Sequence, residues 1–241
     1  MVPVAAVLFD VDGTLVDHDA AARCGLEAHL EREGLDVDQD TWARWIEVEN
    51  RHFDRYLAGS LSFQEQRRER ARDFTGRSLS DREAGAWFDG YRQQFEASWS
   101  LFDDVLPTLD ALAAAELPLG AFSNVDGGYT RRKLASLGVI DRFGVVLGRD
   151  DVTLGKPAAE PFLGLAAALG VTAAGALHVG DRYEVDARAA RAAGLLGVWL
   201  DRPGAAPERR RPDGPLDPAV LVIDSLLDLL PLAVHGWPLA R

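Results

Sequence analysis

The sequence predicts an α/β protein: a doubly wound parallel sheet interrupted by an all-helical insertion. Three observations carry this reading. Six short, near-continuously apolar runs recur along the 241 residues, as expected for strands covered on both faces. Most are followed by an Ala- and Leu-rich segment with helical pattern, and strand–helix–strand repetition gives right-handed crossovers and parallel pairing. Roughly 100 residues separate the first run from the second, and that stretch reads as helical.

In chain order, the first strand is expected over Val4 to Phe9. Helices follow over Ala20 to Glu33 and Asp40 to Tyr56. Ser62-Phe63-Gln64-Glu65 and Ser80-Asp81-Arg82-Glu83 match the capping box, in which Ser accepts from the N3 amide and Glu reaches back to the cap. Two further helices therefore start near Ser62 and Ser80. The insertion is placed at residues 17–98, the core at 1–16 and 99–241. Trp42, Trp45, Trp87 and Trp99 lie in or beside the insertion. The core resumes with strands at Leu119 to Phe122 and Val145 to Leu147, flanking a helix over Tyr129 to Leu137. A helix over Glu160 to Leu169, a strand over Ala176 to Val179 and a helix over Glu184 to Ala193 come next. Gly197 to Leu200 and Ala219 to Ile223 are the last strands, separated by a Pro-, Arg- and Gly-rich loop from Pro203 to Pro218. Asp224 to Leu232 is the closing helix.

Composition limits the function classes. A net charge of -12 and a pI near 4.8 argue against a nucleic-acid surface, which needs a basic footprint. Small anionic substrates remain open, because a local positive field can exist inside an acidic protein. Cys24 is the only cysteine, so no internal disulfide forms and a reducing, cytoplasmic setting is expected. The apolar start, Val2 to Phe9, is too short to span a membrane and lacks a positive leader, so no membrane association is expected. The sequence sets no oligomeric state. Of the 26 basic residues only Lys133 and Lys156 are lysine, so a compact ammonium in this chain is a candidate for chemistry.

The polar residues at the strand ends point to a site. Asp10 stands where the first strand runs out, with Asp12 two residues on and Gly13 giving the backbone room to turn. The carboxyl ends of parallel strands are where ligands bind. Two carboxylates there repel unless a cation or proton lies between them, which favours a hard cation such as Mg²⁺. A lone D-x-D-G segment is equally an ordinary turn. The second core strand, however, ends in Ser123-Asn124, a hydroxyl and an amide able to hold phosphate oxygens. Lys156-Pro157 follows the third at a distance suited to a helix start, where Pro is common. His178-Val179-Gly180-Asp181 ends the fourth, and Asp186 follows in a position where a helix dipole would also favour an acid. Three carboxylates, a hydroxyl and a lysine thus gather at one sheet edge, a set that turn preferences alone do not produce.

Asp10-Val11-Asp12-Gly13-Thr14-Leu15, Ser123-Asn124, Lys156-Pro157 and Gly180-Asp181 with Asp186 resemble, in order and in strand context, the four motifs of the haloacid dehalogenase superfamily. The resemblance spans nearly the whole chain and implies a Rossmann-like core, with the helical insertion as a type 1 cap. It implies that Asp10 is a nucleophile forming an aspartyl-phosphate. Asp12 would protonate the leaving oxygen and then activate water. Mg²⁺ would be held by the Asp10 carboxylate, the Asp12 backbone carbonyl and Asp181. Ser123 and the Asn124 backbone would bind phosphoryl oxygens, and Lys156 would neutralise charge. Asp186 would orient Lys156 or reach the metal through water.

The implied chemistry is physically coherent. A carboxylate attacking an anionic ester needs a cation and a lysine to screen repulsion. Asp12 can act as an acid only with a raised pKa, which burial beneath a closed cap would supply. The expected activity is a phosphatase acting on a small phosphorylated metabolite such as a sugar phosphate or nucleotide. The alternatives are a phosphomutase, a dehalogenase, which the acid at position 12 disfavours, and a catalytically silent binding protein. Substrate choice is expected in the cap. There, Arg67, Arg68, Arg70 and Arg72 read first as a solvated face paired with Glu65 and Glu69, and otherwise as an anion-facing patch. Trp42, Trp45, Phe53 and Tyr56 read as helix packing. His18, His52 and Arg182 are further cleft candidates.

Overall fold

The computed structural model describes residues 3–204 and 214–235. The chain divides into two compact units, Met1–Asp17 with Ser100–Arg241, and His18–Trp99.

The first unit is built on six parallel strands: β1 (Ala6–Phe9), β2 (Leu119–Phe122), β3 (Val145–Leu147), β4 (Ala176–Gly180), β5 (Leu196–Leu200) and β6 (Leu221–Ile223), in the order β3-β2-β1-β4-β5-β6. This is the Rossmann-like arrangement, in which the chain builds outward from β1 to one side and then returns to build the other. Strands β1, β2, β4 and β5 are buried throughout, as their unbroken apolar runs predict. The expectation of two covered faces fails at the edges. Strand β3 is only half-buried and β6 exposes Val222, because an edge strand has a neighbour on one side only.

Crossover helices complete this unit. Helix α5 (Val105–Ala114), preceding β2, has no counterpart among the sequence expectations. Helix α6 (Gly127–Ser136) joins β2 to β3, and Asp126 caps it by accepting from the Tyr129 amide at 2.7 Å. Helix α7 (Ala159–Ala168) joins β3 to β4. Its residues Phe162, Leu165 and Ala166 pack with Leu8 and Phe122 of the sheet. Pro157 precedes α7 rather than occupying its first turn, and the Lys156–Pro157 peptide is cis. After β4 the chain forms a π-helical turn, Tyr183–Ala187, before the short helix α8 (Arg188–Ala192). The closing segment is a 3-10 turn, Leu226–Asp228, continued by α9 (Leu229–His235). Much of the loop expected from Pro203 to Pro218 lies outside the described residues.

The second unit holds α1 (His18–Glu31), α2 (Gln39–Leu57), α3 (Phe63–Thr75) and α4 (Asp81–Ala97). Both capping boxes form: Ser62 with Glu65 and Ser80 with Glu83. Trp45 is fully buried against Tyr91, Phe74 and Trp87, with ring centroids 4.5, 5.1 and 6.1 Å away. The arginine run of α3 is not one solvated face. Gln66, Arg70 and Phe74 recur every four residues on its buried side. Arg70 therefore lies inside, paired with Glu49 at 2.9 Å and 4.6 Å over the Trp45 ring. Arg72 does pair with Glu69, at 2.6 Å, and with Asp81 at 2.5 Å, while Glu65 is engaged in the cap. His52 is buried against Asp73 at 2.9 Å, and His18 stands edge-on to Phe95.

Candidate active site

The sheet reverses its direction of growth between β1 and β4, and ligands of open α/β sheets bind at such switch points. Asp10 leaves β1 and Asp181 leaves β4 at that place. The Asp10 amide still donates to Val179 O at 2.9 Å, so the carboxylate starts from a fixed ladder position. Beyond it the chain turns tightly: Gly13 takes φ 91°, and the Leu15 and Val16 amides both donate to Val11 O at 2.9 Å. This turn brings the Thr14 hydroxyl to Asp10 Oδ2 at 2.9 Å.

Lys156 is buried between two carboxylates, donating to Asp10 Oδ1 and Asp186 Oδ1, each at 2.6 Å. Its backbone is clamped by Asn124, whose side-chain amide donates to Lys156 O and whose Oδ1 accepts from Lys156 N, both at 2.8 Å. The Asn124 side chain is thus engaged in placing Lys156. Ser123 is buried beside it, its Oγ accepting from the Val125 amide at 3.2 Å.

Asp186 reaches the site from the π-helical turn, where the Arg182 amide donates to Oδ2 at 3.1 Å. Gly180 makes room for it, since a Cβ there would stand 2.3 Å from Asp186 Cγ. Buried His178 lies below, its Nε2 3.4 Å from Asp186 Oδ1. Trp199 on β5 donates its indole N–H to Asp181 O at 2.9 Å, fixing the strand end that carries Asp181. The side chain of Arg182 is exposed.

Asp10, Asp181 and Asp186 are all buried and offer carboxylate oxygens within 4.8 Å of one another. A donor set made only of carboxylate oxygens suits a hard cation. The Asp12 side chain is not part of this cluster. It is half-buried, and its Oδ1 accepts from Lys133 on α6.

The charges perturb one another. Burial pushes the Asp10 carboxyl up to about 6, against the lowering influence of Lys156 and with help from Asp186. Burial would also raise Asp186, but Lys156 and His178 outweigh it and hold Asp186 below the ordinary carboxylate range. Desolvation alone would lower Lys156, yet Asp10 and Asp186 raise it above the usual lysine value. Burial keeps His178 below the usual imidazole value. The triad is therefore a protonated lysine with Asp186 as its firm counter-ion and Asp10 as the more easily protonated partner.

Sequence reasoning singled out Lys133 without giving it a place in the site, and missed Trp199 and Arg202. Arg202 donates to both oxygens of Asp104, at 2.9 and 2.8 Å, and to Thr14 O at 3.0 Å, which ties the turn after β1 to the start of α5. Only Lys133 carried a signal, its rarity.

Over residues 4–194 the sequence matches the haloacid dehalogenase-like hydrolase family. The chain belongs to that family. The hydrolase is 33% identical over 242 residues to a phosphoglycolate phosphatase of Salmonella paratyphi A, covering 95% of this chain and 92% of that protein. A HAD hydrolase of Bacillus subtilis bound to magnesium shares the fold, with TM-score 0.75 at 20% identity over 96% of this chain and 99% of its own. A 2-haloacid dehalogenase of Pseudomonas syringae has TM-score 0.69 at 26% identity, covering 98% and 100%. The hydrolase is an enzyme, and its relatives support a phosphatase among the activities of the family. Among the described residues no helix is long and apolar enough to cross a membrane.

Proposed function

We propose that the hydrolase is a Mg²⁺-dependent phosphomonoesterase that acts on a small phosphorylated metabolite through an aspartyl-phosphate on Asp10. The observation that carries this is the buried Asp10–Lys156–Asp186 triad beside Asp181, with a second carboxylate, Asp12, held outside the cluster.

In the first step a carboxylate oxygen of Asp10 attacks phosphorus, the ester P–O bond breaks, and Asp12 gives its proton to the departing alkoxide. In the second, Asp12 takes a proton from water, the resulting hydroxide attacks phosphorus, and inorganic phosphate leaves with Asp10 restored as a carboxylate. Ser123 and the Asn124 main chain hold phosphoryl oxygens, and Lys156 offsets their charge. The Asp10 carboxylate, the Asp12 backbone carbonyl and Asp181 would hold the cation, and the proximity of Asp186 makes it a further candidate ligand. When bound, Mg²⁺ screens repulsion between nucleophile and phosphoryl group.

The helical insertion is proposed as the cap that selects the leaving group. Sugar phosphates and nucleotides are the broad candidates, and the curated relatives make 2-phosphoglycolate the first to test. The dehalogenase alternative is disfavoured by Asp12, since halide needs no proton to leave. A panel of phosphomonoesters, including p-nitrophenyl phosphate and 2-phosphoglycolate, is assayed for phosphate release with Mg²⁺ and with EDTA. Turnover that requires Mg²⁺ is expected. Inactivity on the whole panel in protein that binds Mg²⁺ would overturn the reading.

A further inference from the structure

We propose that Lys133 is a positioning residue for Asp12, fixing which carboxylate oxygen handles the proton; this rests on the reading of Asp12 as acid and base. The two residues are 121 positions apart, yet Lys133 Nζ donates to Asp12 Oδ1. Lys133 is among the largest fully buried side chains of the protein, at 2% exposure. Burying an ammonium is costly unless it is paired, and its pairing here is with a residue of the first catalytic turn. Nζ also lies 5.7 Å from the Tyr129 ring centroid, a second favourable contact for a desolvated cation.

The element that delivers Lys133 is itself held. Thr130 Oγ1 donates to Asp126 O at 3.0 Å, and Ser136 Oγ donates to Lys133 O at 2.8 Å. At the helix start Gly127 lies so close to Gly148 that a Cβ on Gly148 would stand 2.3 Å from Gly127 Cα. A lysine head carried by a fixed helix defines a point in space, and the Asp12 carboxylate, with two soft torsions, is oriented by it.

The choice of lysine follows from the same geometry. An ammonium is a point donor that takes one oxygen, whereas a guanidinium forks across both oxygens of a carboxylate. Arg202 does the latter to Asp104 in this protein. At Asp12 a fork would occupy the oxygen that must exchange a proton with the leaving group and with water. In a chain with 24 arginines and two lysines, a lysine at this position is the donor compatible with proton transfer.

The test compares kcat/KM on two esters in Lys133→Met, with thermal melting as the folding control. p-Nitrophenolate leaves without needing a proton, while an alkoxide such as that of 2-phosphoglycolate needs one. For the first irreversible step, kcat/KM on the alkyl ester is expected to fall roughly 100-fold. On p-nitrophenyl phosphate it should fall by less than a tenth of that factor. In an Asp12→Asn background the Lys133→Met change should add no further selective loss. Equal losses on both esters, or no loss on either, would overturn the proposal and leave Lys133 a packing residue. If Lys133→Met does not fold, Lys133→Arg carries the same comparison: selective loss is expected, and wild-type selectivity overturns the proposal. A wild-type protein inactive on both esters would instead count against the phosphatase reading itself.

Discussion

Replacing Asp10 by Asn should destroy turnover and at the same time stabilise the metal-free protein above neutral pH. Burial raises Asp10 from 3.8 to about 6, while in the unfolded chain it titrates near its ordinary value. Between those two values the folded state binds a proton that the unfolded state has lost, so stability falls as pH rises through the window. Above pH 6 the full cost applies, roughly 3 kcal/mol for a shift of about 2 units. Asn mimics the protonated carboxyl and leaves Lys156 paired with Asp186 at 2.6 Å. Asp10→Asn in EDTA at pH 8 should therefore exceed wild type by roughly 2–3 kcal/mol, about 5–10 °C in the melting of the sheet unit. Near pH 4 the two proteins should melt together. Adding Mg²⁺ should stabilise wild type by mass action and the variant, which lacks a proposed ligand, much less. The assay is a series of melts from pH 4 to 8, with EDTA and with Mg²⁺. An advantage absent at pH 8, or undiminished at pH 4, would refute the argument that ionised Asp10 is held at a cost.

Two further substitutions test the surrounding frame. Gly180→Ala places a Cβ 2.3 Å from Asp186 Cγ and should displace Asp186 from Lys156, lowering kcat about 100-fold with a destabilisation of about 1–3 kcal/mol; steady-state rates and circular dichroism check both. Asp104→Asn weakens a carboxylate that accepts from Arg202, from Ser225 Oγ at 2.9 Å and from Leu226 N at 2.8 Å. Burial would raise Asp104, but these partners hold it below 3.8, so its contribution is full above that value and lost in acid. A loss of about 2–4 kcal/mol at pH 7 that shrinks below pH 4 is expected in urea unfolding.

The sheet was legible because its strands are unbroken apolar runs and its site residues follow them directly. Ser62 and Ser80 were legible as helix starts because a capping box is a local interaction over four residues. Helix α5 was not, although Val105, Leu109 and Leu112 form a buried stripe. Pro107 interrupts its pattern, yet it stands in the first turn, where its missing N–H costs nothing. The π-helical turn was equally hidden, because Glu184 to Ala193 has ordinary helical periodicity. The widened turn arises where the chain brings Asp186 against Gly180, a tertiary demand. Arg70 was obscured by its neighbours, since a dense run of arginines conceals that only one of them falls on the buried stripe.

What sequence could not supply is which oxygen each donor takes. Lys156 holds Asp10 Oδ1 and Thr14 its Oδ2, while Lys133 holds Asp12 Oδ1. Each of the two lysines in the chain thus meets one of the two aspartates, Asp10 and Asp12, at the end of β1, and arginine is used where forks or ring stacking serve, as at Asp104 and Trp45. The remaining imbalance is electrostatic. Asp10, Asp181 and Asp186 face one another with Lys156 as the cation between two of them. Burial is the largest cause of the raised Asp10, with the neighbouring Asp186 adding to it and Lys156 opposing it. On the proposed reading, a divalent cation held there would favour the ionised form that Asp10 needs to act as a nucleophile. The burial that costs the fold stability when Asp10 is ionised is, on the proposed reading, what would make cation binding and attack by Asp10 favourable.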